Sequence, residues 1–419
     1  MKILKIFALI FFSIFVSLVL FAFLEICASF FIKSNDDRLQ DIIRLLEQDR
    51  ILFWKQKANL NVEFQKQQVI TNSVGFRNSE IQKKDKIRII CLGASPTFGY
   101  GVKYEDTYPF VVEQKLKQDG FETEVINAGE IGYSSYQGLN LLKNKITDLQ
   151  PDIITVSYVI NDIDKYRFFR SGFLPDKDLK PLSNFTITIS NLIYSSNLFK
   201  LINKLILSKK SKRQQYYGKN YNNQYNENRR VSLQDYETNL KEFIDFAKIN
   251  NIKLLFVVMP VNLPTKQSVS EKDKAEIDNL MTEAENKLQQ NDYDECKNIL
   301  QKVLLADPFY AKGYYYLGVL AEKEKNVNLA NDCFEKAKNY EVFDCAAISL
   351  EYNEIMRKVA SENNIDFCDC AKEFKSYDTD YLFVDPKYDC FHPNGKGHNI
   401  IAGLLTEKLE SYFNGVKND

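Results

Sequence analysis

The spacing of apolar positions changes several times along the chain. From Ile6 to Leu24, 19 residues run without a charge, and Glu25 is the only charged position between Lys5 and Lys33. At about 1.5 Å per residue such a helix spans roughly 28 Å, one hydrocarbon core. Signal-peptide cores are shorter, roughly 7–15 residues, and end at small residues, which do not follow here. Residues 1–33 are therefore expected to form a single-pass transmembrane anchor. A cleaved leader, or lipid attachment at Cys27, is the alternative, with Glu25 and Ile26 poorly suited to the latter. Lys2 and Lys5 favour an inside N-terminus and an extracytoplasmic remainder, a bias that Lys33 and Arg38 weaken. Glu25 is expected near the outer interface, where a carboxylate reaches water.

Residues 34–84 form a polar juxtamembrane segment. Leu39, Ile42, Ile43, Leu46, Ile51 and Leu52 predict a helix over 37–54. From residue 85 the pattern changes to short β-rich runs separated by helix-length segments. Strands are expected at 87–92, 124–126, 152–160, 252–259 and 365–368. Helices are expected at 107–118, 136–149, 233–249 and 349–363. That alternation predicts an α/β domain with a parallel sheet covered on both faces.

Two segments interrupt the rhythm and split the core into 85–265 and 344–419. The first, 165–230, carries 14 Lys or Arg and only three acids, Asp176, Asp178 and Glu227. It reads as a solvated insertion with one apolar helical run, or as a contact for an anionic surface. The second, 266–343, repeats at 34 residues: Ala284 aligns with Gly318, Cys296 with Ala330, Leu300 with Phe334 and Val303 with Ala337. Tyr314, Leu317, Gly318, Ala321, Ala330 and Phe334 are spaced much as in a tetratricopeptide repeat, so all-α hairpins are expected. Two copies cannot close a solenoid, so neighbouring helices must cap them. A protein partner at this insertion and simple enlargement of the core both remain open.

Composition narrows the class. With 45% apolar and 13% aromatic residues in 419, the chain is not disordered, and 8 Cys are too few for a disulfide miniprotein. Its net charge of −1 hides a +11 segment at 165–230 offset by −12 elsewhere. Nucleic acid is disfavoured as a partner if the domain lies outside the cell. Among Cys368, Cys370 and Cys390 one pair is a candidate bridge if the compartment oxidises.

Candidate chemistry sits where expected strands end. Gly93-Ala94-Ser95 follows the first strand, Gly129-Glu130-Ile131-Gly132 the second and Asn161-Asp162 the third. Asp389-Cys390-Phe391-His392 supplies one of only two histidines. Singly these read as turns and caps. Jointly they supply an acyl-transfer site. A serine needs a base, and His392 is one. The imidazole needs an orienting acceptor, and Asp389 lies three residues away. A tetrahedral intermediate needs donors, and the N–H groups of Ser95 and Gly132 with the Asn161 amide can converge. No metal or other cofactor is called for, because no further His or clustered Cys accompanies Asp389 and His392. Thr97, Tyr100 and Tyr133 are candidate pocket residues. His398, opening the last helix, reads as structural.

These blocks resemble the SGNH, or GDSL-type, hydrolase family. Ser95 matches its nucleophile, Gly132 and Asn161 its oxyanion donors, and Asp389 with His392 its acid and base. Ala94 stands where the family has Asp, and Val159 where it usually has Gly. The resemblance covers roughly 72–165, 232–262 and 345–410. It implies a flavodoxin-like three-layer sandwich and a serine hydrolase. Ester hydrolysis or O-acyl transfer on acylated cell-surface carbohydrate is the implied activity. A scaffold protein with an inactive domain is the second reading. A third is a phosphopantetheine- or phospholipid-directed hydrolase, with Lys209, Lys210, Lys212 and Arg213 holding phosphate.

Overall fold

The computed structural model describes residues 2–31, 38–163, 167–169, 174–208, 212–213, 229–263, 271–386 and 389–416. The chain starts with a 30-residue helix, α1 (Lys2–Phe31). Within it, Leu9–Phe31 has a mean hydropathy of 2.7 and is long and apolar enough to cross a membrane. The helix expected over 37–54 ends early. After α2 (Arg38–Leu45) the chain enters an antiparallel hairpin, β1 (Leu46–Asp49) and β2 (Phe53–Gln56). Asp49 accepts hydrogen bonds from the N–H groups of Ile51 and Leu52, both at 2.9 Å, and Phe53 takes φ +68°. This turn carries Leu52, Phe53 and Trp54 into the main core, and that burial outweighs the local helical spacing. A second hairpin follows, β3 (Asn61–Phe64) and β4 (Gln67–Ile70).

The central sheet has five parallel strands: β5 (Ile87–Gly93), β6 (Thr123–Gly129), β7 (Ile153–Ser157), β8 (Lys253–Val258) and β9 (Asp366–Asp369). Their spatial order is β6-β5-β7-β8-β9. Side chains alternate across it. Ile90, Leu92, Ile126, Ile154, Val156 and Phe256 join one core, and Ile89, Cys91, Val125, Ile153, Leu255 and Val257 the other. Both faces are covered, which is why these strands read as continuous apolar runs.

Helices complete the layers. The short α3 (Ser95–Phe98) and then α4 (Tyr108–Gln118) follow β5, and α5 (Ser135–Leu141) follows β6. After β7 come α6 (Ile160–Ile163), α7 (Asn184–Ser195), α8 (Asn197–Ser208) and α9 (Leu233–Ile249). The helices α5 and α9 share the first core, with α4 on the other side. After β8, four helices follow: α10 (Glu271–Gln289), α11 (Tyr293–Ala306), α12 (Ala311–Lys323) and α13 (Val327–Glu362). The chain then closes with β9, α14 (Cys370–Phe374) and α15 (Gly395–Val416).

The aligned repeat positions pack as one cluster containing Ala284, Cys296, Leu300, Val303, Ala330, Phe334 and Ala337. At Gly318 an added Cβ would stand 2.6 Å from the Phe334 ring, so only glycine lets α12 and α13 approach this closely. The boundary expected at 343/344 falls inside α13, a single 36-residue helix without Gly or Pro. Its first half belongs to the helical cluster, whereas Tyr352, Met356, Val359 and Ala360 are built into the sheet domain. One rigid element therefore ties the insertion to the core.

Among the described residues none of Cys368, Cys370 and Cys390 is in a disulfide. Cys368 and Cys370 lie in the core under α4 and α15, while Cys390 packs with Phe343 and Ala346 in a separate cluster. Burial raises the thiols of Cys368 and Cys390 to about 12.

Candidate active site

Strand order reverses between β5 and β7, and open parallel sheets place ligands at such a reversal, beyond the strands' carboxyl ends. Ser95 follows β5 directly and opens α3, with Ala94 as N-cap. The tight approach depends on two glycines. At Gly93 an added Cβ would lie 1.9 Å from Thr97 Oγ1, and at Gly129 it would lie 2.2 Å from the Phe98 nitrogen. No side chain fits between α3 and the two strands that carry it. The far end of α3 is clamped by Arg77. Its guanidinium donates to the carbonyls of Phe98 (3.2 Å), Gly99 (2.7 Å) and Val102 (2.9 Å) and lies over the Phe98 ring. A cation at a helix C-terminus is electrostatically favourable.

His392 arrives on the loop before α15. Its Nε2 lies 2.8 Å from Ser95 Oγ, and its Nδ1 lies 2.8 and 3.0 Å from the two oxygens of Asp389. The N–H groups of Phe391 and His392 also donate to Asp389. Burial alone would raise this carboxyl, but His392 and these donors hold it below the ordinary value. Asp389 thus stays ionised and orients the ring. Tyr100 stacks on the imidazole, with centroids 4.3 Å apart. The loop is fixed from outside: Asn262 donates from its N–H to Cys390 O (2.9 Å), and Asn394 Nδ2 donates to Tyr381 O and Phe383 O.

Gly132 sits in the loop after β6 at φ +80°, with its α-carbon facing Phe168; a Cβ there would meet the ring at 2.5 Å. Neither the Ser95 N–H nor the Gly132 N–H donates to another group among the described residues. Asn161, in α6 after β7, donates one amide hydrogen to Tyr133 O at 3.1 Å, which ties the third loop to the second. Its other amide hydrogen is not used by that bond.

Of the candidate pocket residues only Tyr100 borders this group. Thr97 lies behind Ser95, bonded to Ser157 Oγ (2.8 Å) and Tyr108 OH (3.0 Å), and Tyr133 is buried with its hydroxyl donating to Trp54 O. His398 is also buried. Its Nδ1 accepts from the Tyr108 N–H at 3.1 Å, and burial lowers it to about 3, so it remains neutral. Lys212 and Arg213, considered above as phosphate ligands, lie instead against Glu335 and Glu322 of the helical insertion, and Lys209 and Lys210 fall outside the described residues.

The supports of the Gly132 loop are not apparent in the sequence. Arg230 donates to Gly132 O (2.7 Å) and to Gln137, pairs with Asp176 at 3.0 Å, and lies under the Trp54 ring. Arg167 and Ser134 complete the buried cluster, with contacts to Asp176 of 2.6 Å each. Burial would raise Asp176, but the two arginines hold it below its usual value. Arg167, Asp176 and Arg230 all belong to the segment read as a solvated basic insertion; its ends are instead core structure. Trp54 Nε1 donates to Ile131 O (2.9 Å), Gln56 Nε2 to Gly129 O (2.7 Å) and Gln137 Nε2 to Leu52 O (2.6 Å). The β1–β2 hairpin is therefore a brace for this loop. The lone Trp in a polar stretch was the one available signal.

Glu130, in the same loop, is buried and accepts from the Gln56 N–H at 3.1 Å. Burial raises its carboxyl from 4.5 to about 7, partly offset by Lys145 and Gln56. The folded state then holds this proton more tightly than the unfolded chain. Its stability contribution is full below pH 4.5, falls as pH rises toward about 7, and is flat above. Glu130→Gln is expected to match the wild type near pH 4 and to exceed it at pH 8 by up to about 3 kcal/mol. Thermal melts at the two pH values check this; an equal difference at both would refute it.

No known family profile matches the chain, and no curated protein matches it. Solved structures do. A lipase/acylhydrolase from Enterococcus faecalis is 11% identical, with a TM-score of 0.37, over 78% of this chain and 96% of that one. The acetylxylan esterase Axe2 from Geobacillus stearothermophilus is 12% identical, with a TM-score of 0.37, over 77% and 94%. A GDSL-like lipase from Bacteroides thetaiotaomicron is 13% identical, with a TM-score of 0.34, over 80% and 92%.

Proposed function

We propose that the chain is a serine-dependent ester hydrolase of the SGNH type. The observation that carries this reading is the continuous contact from Ser95 Oγ through His392 to Asp389, with 2.8 Å at each step. In this reading His392 Nε2 takes the Ser95 proton as Oγ attacks the ester carbonyl. The new C–O bond pushes negative charge onto the carbonyl oxygen. The N–H groups of Ser95 and Gly132 and the remaining Asn161 amide hydrogen receive it, each donor worth roughly 3 kcal/mol in the transition state. The imidazolium, held by Asp389, returns its proton to the leaving alcohol, and an acyl-serine remains. Water, activated by His392, then releases the acid. A sugar hydroxyl in place of water makes the same intermediate an O-acyl transfer.

The resemblance to the SGNH family, joined to an N-terminal helix of membrane-spanning length, implies acylated carbohydrate at the cell surface as substrate. The helix is read as a retained anchor with the catalytic domain outside. The direct test is labelling with a fluorophosphonate, which modifies only activated serines. The peptide containing Ser95 is expected to carry the label in the full-length protein and to lose it in His392→Ala. An unlabelled Ser95 in folded wild-type protein would remove the basis for the proposal.

A further inference from the structure

Between Lys180 and Lys200 the chain has no charged residue. This stretch forms α7 and the start of α8, joined at Ser196. Phe185, Ile189, Leu192 and Ile193 recur at i, i+4, i+7 and i+8 on α7 and are 76, 41, 62 and 43% exposed. Ile202, Leu205 and Ile206 on α8 are 46, 55 and 50% exposed. Monomeric soluble proteins rarely leave such stripes uncovered.

Two observations identify the cover. First, α8 packs along α1. Glu25 of α1 accepts hydrogen bonds from the N–H groups of Asn197 (2.6 Å) and Leu198 (2.8 Å) and from the Ser196 hydroxyl (3.1 Å). The one carboxylate in the apolar helix therefore caps α8 and neutralises its orphan donors. Glu25 lies six residues before Phe31, about 9 Å of helix, so the α7–α8 turn is fastened beside the end of the apolar stretch. Second, Lys200 and Lys204 lie on α8 beside its apolar positions, whereas Lys177, before the uncharged segment, pairs with Asp235. Apolar faces flanked by lysines suit acyl chains beneath anionic headgroups.

We propose that the α7–α8 hairpin lies in the interfacial layer of the bilayer that α1 spans, with its apolar stripes among the acyl chains. The proposal rests on the reading of α1 as a retained anchor. It gives Glu25 a role that a simple anchor does not need. It also places the candidate site close to the lipid. Phe168 packs on Gly132, the adjacent Phe169 meets Tyr194 of α7 at 5.4 Å, and Tyr194 meets Phe199 of α8 at 5.6 Å. An aromatic row thus joins the Gly132 loop to the hairpin.

The test uses full-length protein in phosphatidylglycerol-containing vesicles, one set brominated near the headgroups and one deep in the acyl chains, and reads tryptophan fluorescence against both. Three variants are compared with wild type, whose only tryptophan, Trp54, is buried. Leu192→Trp reports the hairpin, Phe15→Trp reports α1, and Leu305→Trp reports the helical insertion, where Leu305 is 85% exposed. Loss of fluorescence is expected for Leu192→Trp and Phe15→Trp and not for Leu305→Trp. Quenching of Phe15→Trp without Leu192→Trp overturns the hairpin proposal and leaves the anchor intact. Quenching of neither overturns the anchor, and the hairpin proposal with it.

Discussion

Ser95→Ala is expected to lower kcat for a small acetyl ester by about 10⁴–10⁶-fold while leaving the melting temperature unchanged. The substitution removes one hydroxyl whose side-chain partner is His392 Nε2, and alanine fits the same helical position. Fold and substrate pocket therefore persist without the nucleophile. Groups that act as a unit do not lose activity additively, so His392→Ala in the Ser95→Ala background should cost less than about a further 10-fold. Asp389→Asn should retain more activity, falling by roughly 10⁴-fold, because the ring keeps its place but loses the ionised acceptor that sets its tautomer. Steady-state hydrolysis with a parallel melt checks all three. Wild-type turnover in folded Ser95→Ala would end the serine-nucleophile reading.

Arg230→Leu is expected to destabilise the protein by about 1.5–3 kcal/mol, because Asp176 keeps Arg167 and loses its charge-assisted hydrogen bonds from Arg230. Arg230 and Asp176 are both almost fully buried, and Arg230 makes the 2.7 Å bond that orients the Gly132 carbonyl. Loss of that bond frees the peptide next to a candidate oxyanion donor, so kcat should fall by about 10–100-fold with less change in KM. Arg230→Lys should not restore it, because a point charge cannot address Gly132, Gln137 and Asp176 together. Arg230→Leu with Asp176→Leu should not recover stability relative to Arg230→Leu alone, since the buried Arg167 then loses its carboxylate. Chemical denaturation and steady-state kinetics report the two effects separately. A single variant that melts and turns over like wild type would show the cluster to be inert.

The sheet strands were readable because each is an apolar run closed on both faces, and local composition reports that condition directly. The helical insertion was readable because a 34-residue spacing of small and large residues is itself a packing rule. The anchor-length helix needed only length and absence of charge. Errors fell where a residue's partner lies far along the chain. The 37–54 helix gave way to a hairpin once Trp54 found Ile131, 77 positions away. The 343/344 boundary vanished into α13 because nothing in its sequence breaks a helix, whichever cluster each half serves. Arg167, Asp176 and Arg230 looked like solvated charge because composition counts charges and does not see which are paired.

Sequence alone determined the chemical types available: a serine between tight turns, two histidines, an Asp three residues before one of them, and glycines at strand ends. It also determined which runs become strands, since that choice depends on local spacing and burial demand. Only the tertiary structure decided that Ser95 and His392, 297 positions apart, meet at 2.8 Å while His398 is sealed beside Tyr108. Only it decided that Glu25 serves α8, and that the ends of a basic segment brace a loop after β6. The reason is physical: periodicity is a property of neighbours in the chain, whereas hydrogen-bond distance and charge compensation are properties of neighbours in space.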